Sequence, residues 1–120
     1  SSPEGEGIVS GEDGYHRITA EEAKEIIDAG DVTVVDVRTW GEYAQAHLPG
    51  AVNVPNENIG TEKPEALPNL EDAVIVYCRT GVRSRQAADK LTAMGYTQVY
   101  DMGGIVDWSY DTVSEPAEDR

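Results

Sequence analysis

Ala73-Val-Ile-Val-Tyr-Cys78-Arg79-Thr80-Gly81-Val82-Arg83-Ser84-Arg85 is the stretch on which the reading of this chain turns. Residues 73–77 are apolar and mostly β-branched, the pattern of a strand covered on both faces. Cys78 ends that strand. Gly81 permits backbone conformations closed to other residues, so a tight turn follows. From Ser84 to Met94, Ala87, Ala88, Leu91 and Met94 recur on one helical face, and Gly95 stops the run. Strand, turn and helix therefore follow one another within about twenty residues.

The same alternation extends outward. Val32 to Val37 reads as a second strongly apolar strand. Before it, Thr19 with Glu22 three positions on forms a capping-box signature, and Gly30 closes the helix. After it, Trp40 to Ala46 suits a short helix ended by Leu48-Pro49-Gly50. Val52-Asn53-Val54 suits a short strand, and Val99-Tyr100 a last one before Gly103-Gly104 and a short helix carrying Trp108. Residues 56–70, rich in Asn, Gly and Pro, read as a long loop with one helical turn near Glu65. Strands alternating with helices at this spacing imply an α/β fold with a parallel sheet and helices on both faces. Such sheets place their sites at the carboxyl ends of strands. Residues 1–14 and 113–120 read as flexible acidic tails around a domain spanning 15–112.

Composition narrows the function. At 120 residues the chain is one domain. With 23 Asp and Glu against 9 Lys and Arg, its net charge of −14 argues against a general nucleic-acid binder and against docking on anionic lipid. The longest apolar run, Ala73 to Cys78, is far short of a membrane span. The sequence opens on Ser1-Ser2-Pro3 without a signal peptide. An acidic tail suits a tether below a removed anchor as well as a cytoplasmic chain, so the compartment stays open. One Cys and two His cannot make a disulfide scaffold or a four-ligand zinc site.

The single thiol, Cys78, lies where a loop turns into a helix N-terminus. Successive backbone N–H groups there converge on one point and form an anion nest, which favours a thiolate. Arg79, Arg83 and Arg85 concentrate three of nine basic residues within seven positions of an acidic chain. A buried, inert Cys is the bland alternative, and the coincidence of strand end, glycine turn, clustered arginines and helix start weighs against it.

These features resemble the rhodanese (sulfurtransferase) family. Asp36-Val-Arg38, Glu42-Tyr43 and His47-Leu-Pro-Gly-Ala-Val-Asn53-Val-Pro55 look like its N-terminal signature. Val99-Tyr-Asp-Met-Gly103-Gly104 with Trp108 looks like its C-terminal one. The resemblance spans about residues 16–112. It implies a three-layer fold with a five-stranded parallel sheet and helices on both faces. It also implies a catalytic Cys78 that carries a persulfide, and a substrate-binding loop of Arg79, Thr80, Gly81, Val82, Arg83 and Ser84. Asp36 and Arg38 are expected to support that loop through an ion pair, and His47, Trp40, Tyr43 and Trp108 to be structural. The implied reaction takes sulfane sulfur from a thiosulfate-like donor to cyanide, a thiol or a protein acceptor. No metal or organic cofactor is needed, no nucleic acid is involved, and a monomer is expected. Phosphatases and arsenate reductases share the broader fold. Their chemistry needs Cys, five intervening residues and Arg, whereas Ser84 stands six positions after Cys78. A persulfide-carrier or binding module is the remaining alternative.

Overall fold

The structure is a computed structural model that describes residues 14–60 and 62–114. Five parallel strands make one sheet: β1 (Tyr15–Arg17), β2 (Thr33–Asp36), β3 (Val52–Asn53), β4 (Val74–Cys78) and β5 (Val99–Gly104). Their order across the sheet is β1-β5-β4-β2-β3. Three helices connect them: α1 (Ala20–Ala29), α2 (Trp40–Gln45) and α3 (Val82–Met94). The sheet and the two-sided helical cover are those implied by the resemblance.

All five residues of β4 are buried. Their alternation divides the core. Val74, Val76 and Cys78 join Ala87, Ala88 and Leu91 of α3, together with Ile59 and Leu67 of the 56–70 connection. Ile75 and Tyr77 join Ala20 and Ala23 of α1, Tyr43 of α2, Leu48, Met102 and Trp108 on the other face. Period-two alternation on a central strand thus builds a three-layer α/β/α core.

The element boundaries follow local chemistry. Thr19 caps α1 in a reciprocal box with Glu22, and Gly30 at φ +87° ends it. Thr39 and Glu42 cap α2 in the same way. The helical turn in the 56–70 segment lies at Asn56–Asn58, as a 3-10 helix, rather than near Glu65. At Glu65 there is only a tight turn, closed by the Leu67 amide on Pro64 O at 3.0 Å. Asn56 is instead drawn into structure by its contacts: its amide donates to Val37 O at 2.8 Å, and Lys90 of α3 donates to its carbonyl at 2.9 Å.

Three other expectations are corrected. The last strand runs to Gly104, well beyond Val99-Tyr100, because Tyr77 and Cys78 pair with Gly103 and Gly104. A register shift lies between Val76, paired with Asp101, and Tyr77, paired with Gly103, and it leaves Met102 as the extra residue of a bulge. Trp108 caps the end of the final 3-10 turn, Ile105–Asp107, rather than sitting within it. At the C-terminus, Val113 pairs antiparallel with His47 through backbone hydrogen bonds of 2.8 and 2.9 Å. The tail drawn from 113 therefore begins with a held residue. The remainder of that tail, 115–120, and residues 1–13 of the N-terminal one lie outside the described residues. Among the described residues no helix is long and apolar enough to cross a membrane.

Candidate active site

Cys78 stands at the carboxyl end of the central strand and is buried. Only Arg79, Thr80 and Gly81 separate it from α3, which starts at Val82 and not at Ser84. Gly81 is the N-cap. It lies at φ +112°, the left-handed region, and supplies no capping side chain. A helix that begins on a bare glycine gives no sequence signal for its first residue, which is why the start was placed late. The consequence is chemical. The leading N–H groups of α3 have no intrahelical partner and no side chain to take them. The Gly81 amide itself donates to Cys78 Sγ at 3.0 Å.

The glycine pair of β5 forms the floor. A methyl group on Gly104 would fall onto Arg79 O and within 2.8 Å of Thr80 Cα. The loop backbone therefore rests directly on the strand, and the Val106 amide meets Arg79 O at 3.4 Å. Only glycine allows that approach.

Ser84 is buried in the first turn of α3. Its hydroxyl donates to Asp101 Oδ1 at 2.8 Å and lies 3.0 Å from Gly81 O. Asp101, also buried, accepts the Gly103 amide at 2.9 Å on the same oxygen and the Tyr15 hydroxyl at 2.7 Å on the other. One carboxylate thus ties β1, β5 and the start of α3 together. Burial and the neighbouring Asp101 push the Tyr15 phenol above its ordinary pKa.

Arg83 has a partner that its neighbourhood in the sequence hides. Nη1 and Nη2 donate to Glu42 Oε1 and Oε2 at 2.8 and 3.1 Å, a bidentate pair with both side chains about one third exposed. Hydrogen bonds from Arg83, aided by the Thr39 amide and set against burial, hold the Glu42 carboxyl at about 2. Arg85 is engaged as well. It bonds Asp89 at 3.1 Å, and its guanidinium carbon lies 4.2 Å from the centre of the Tyr15 ring. Arg79, Thr80 and Val82 are exposed around the loop.

Asp36 and Arg38 form a buried ion pair, with Nη2 to Oδ2 at 2.7 Å. Their other bonds run to the α2 side of the sheet rather than to residues 79–84. Arg38 Nη2 donates to Ala46 O at 2.5 Å. Asn53 donates to the Asp36 and Arg38 carbonyls at 3.0 and 2.9 Å. The pair therefore fixes β2, β3 and the end of α2, which in turn carries Glu42. His47 is buried, stacked on Tyr43 at 3.8 Å, with Nδ1 2.7 Å from Tyr43 O. Tyr43 donates to Ala51 O at 2.7 Å, and Trp108 donates to Asp111 O at 2.9 Å. These aromatic groups make structural bonds.

The structure thus gathers Cys78 and residues 79–84 at one point and leaves Asp36 and Arg38 beside it. Sequence reasoning missed Asp101, Tyr15 and Glu42 as organisers of the site. Asp101 and Glu42 do lie within the two quoted signatures, and a carboxylate between strand residues was the available signal. Among the described residues no group of three or more His, Cys, Asp or Glu is placed to hold a metal ion.

A buried thiol at the carboxyl end of a central parallel strand, facing an uncapped helix start, defines an α/β domain built around one cysteine. The rhodanese-like domain family model matches residues 19–111, and the chain belongs to that family. It is 41% identical over 73 residues to thiosulfate sulfurtransferase PspE of Escherichia coli (strain K12), covering 61% of this chain and 70% of that protein. It is 39% identical over 88 residues to a sulfurtransferase of Allochromatium vinosum, covering 72% and 80% respectively. A solved structure described as a rhodanese with anions from E. coli superposes with a TM-score of 0.64 at 37% identity, over 69% of this chain and 98% of that one.

Proposed function

We propose that the protein is a sulfurtransferase that carries sulfane sulfur on Cys78. The observation that supports this most directly is the Gly81 amide on Sγ at 3.0 Å, at the open start of α3. An anionic sulfur is stabilised there by fixed dipoles without a neighbouring base. The names of the relatives point to the same chemistry.

In the first half-reaction the Cys78 thiolate attacks the outer sulfur of thiosulfate. A new S–S bond forms, the original S–S bond breaks, and sulfite leaves with its electron pair. Cys78 then holds a persulfide anion against the amides of the loop and first turn. In the second half-reaction a nucleophile, cyanide or a thiolate, attacks the outer sulfur. The S–S bond to Sγ breaks and the Cys78 thiolate returns. The roles of Arg79 to Ser84 are to present N–H groups and hold the turn. Asp101, through Ser84, keeps that turn in place. Arg83 chelated by Glu42 is not free to cradle a tetrahedral phosphoryl group, which weighs against phosphatase or arsenate reductase chemistry.

The test is intact-mass spectrometry after thiosulfate treatment, alongside a thiosulfate–cyanide assay. One added sulfur atom per chain is expected, absent in Cys78→Ser together with turnover. Turnover by Cys78→Ser at the normal rate would refute the mechanism. Ready hydrolysis of an aryl phosphate without thiosulfate turnover would move the reading to the phosphatase. A persulfide formed without turnover to cyanide would make the protein a carrier.

A further inference from the structure

Arg17 ends β1 at the sheet edge where Cys78 lies, and its guanidinium has an unusual seat. A methyl group on Gly103 would fall 2.6 Å from Nη2 and 2.7 Å from Nη1, and one on Gly81 would lie 4.0 Å from Nη1. Both glycines have positive φ, +87° and +112°. The bare Gly103 thus leaves room for one planar cation, which also reaches the neighbourhood of Gly81, the residue whose amide holds the Cys78 sulfur.

The N–H donors of that cation are uncommitted, although its charge faces a carboxylate. Its nearest carboxylate is Asp101, at 3.8 Å, and Asp101 already accepts from Tyr15, Ser84 and Gly103. The Arg17 side chain remains 52% exposed. Arg83 and Arg85 differ, because each is bonded to its own carboxylate. Arg17 also lines a cleft of about 420 Å³ with Ile18, Ala20 and Met102, where Glu21 and Asp107 supply the negative groups. In a chain of net charge −14, an anion approaching Cys78 needs a local positive field.

We propose that Arg17 is a specificity-determining residue for anionic reactants at Cys78: from its seat on Gly103 it faces the oxyanion end of the sulfur donor. The assignment of a donor rests on the sulfurtransferase reading above. The attraction of anions to Cys78 does not, and it can be measured without sulfur transfer.

The experiment compares alkylation of Cys78 by iodoacetate and by iodoacetamide, which share a leaving group and differ in charge. Rates are measured at fixed ionic strength for wild type, Arg17→Gln, Arg17→Lys and Lys63→Gln. Lys63 is an exposed cation of the 56–70 connection and controls for net charge. The neutral reagent reports whether Cys78 stays accessible in each variant. Arg17→Gln is expected to lower the iodoacetate-to-iodoacetamide ratio about fivefold, an effect of the size local fields produce. Arg17→Lys should restore most of it, and Lys63→Gln should leave it unchanged. In the thiosulfate assay Arg17→Gln should raise KM by a similar factor with little change in kcat. An unchanged ratio in Arg17→Gln, or an equal fall in Lys63→Gln, overturns the proposal. A fall confined to Arg17→Gln in a protein that takes no sulfur from thiosulfate would uphold the anion-selecting role and refute the sulfurtransferase reading instead.

Discussion

At the start of α2, Thr39 Oγ1 accepts the Glu42 amide at 3.3 Å, and Glu42 Oε1 accepts the Thr39 amide at 3.1 Å. At the start of α3, Gly81 has no side chain to offer and its own amide donates to sulfur. Both helices begin just past the carboxyl ends of neighbouring strands, so both present a positive dipole end to the same edge of the sheet. In α2 that end is spent on local stability. In α3 it is withheld from side-chain capping, at a cost of about a few tenths of a kcal/mol for a glycine cap, and left facing the Cys78 sulfur. The two ends are also coupled, because the carboxylate that caps α2 is the one that takes Arg83 of α3.

The coupling depends on α2 being anchored, and removing its anchor should have the largest effect on stability. Asp36→Ala leaves the Arg38 guanidinium buried without its carboxylate and loosens its hold on Ala46 O at the end of α2. A loss of about 3–5 kcal/mol is expected in urea denaturation. A loss below 1 kcal/mol would show that α2 holds its place without the pair.

Opening or closing the helix starts should separate stability from activity. Gly81→Ala keeps its distance from neighbours, 3.5 Å to Gly103 Cα, and so tests conformation rather than collision. At φ +112° a Cβ is strained by about 1–2 kcal/mol. Thiosulfate turnover is expected to fall at least about tenfold as the amide swings off Sγ. Thr39→Ala should do the reverse. About 1 kcal/mol of stability is lost with the cap, seen as a lower Tm, while turnover stays close to wild type. Equal losses of turnover in the two variants would erase the distinction between the closed and open starts.

The smallest effect belongs to the link between them. The Glu42 carboxyl is held at about 2, below its ordinary value of 4.5. A depressed carboxyl stabilises the fold above its unfolded pKa and stops doing so as pH falls through the folded one. Glu42→Gln should therefore lower Tm at pH 7 by an amount equivalent to under about 1 kcal/mol, as expected for a partly exposed pair. The gap to wild type should close between pH 4.5 and 2. A gap that persists at pH 2 would mean that Glu42 acts through packing and not through Arg83.

What the sequence revealed follows the same division. Starts closed by side chains were legible: Thr19 with Glu22 announced α1 without any structure. The start of α3 was read two residues late because a glycine cap leaves no mark. Apolar runs gave β2 and β4. Tyr15-His16-Arg17 escaped notice because three residues carry no period, and they become a strand only through pairing with Val99, Tyr100 and Asp101. The far half of β5 escaped for a related reason: Asp and Gly are poor strand formers, and here contacts override propensity. The strand end and glycine turn around Cys78 were legible from local pattern alone. The partners that organise its surroundings were not, since Asp101 lies 86 residues from Tyr15 and Glu42 lies 41 from Arg83.

Cys78 is the only thiol among these 120 residues, so a sulfur bound there meets no second cysteine within them to displace it. An enzyme with a resolving thiol discharges itself at a rate set by its own geometry. On the sulfurtransferase reading proposed above, this chain would act as a reservoir with a capacity of one atom, emptied only at the pace of the acceptor supplied from outside. Its occupancy in a cell would then record the recent balance between sulfur supply and demand.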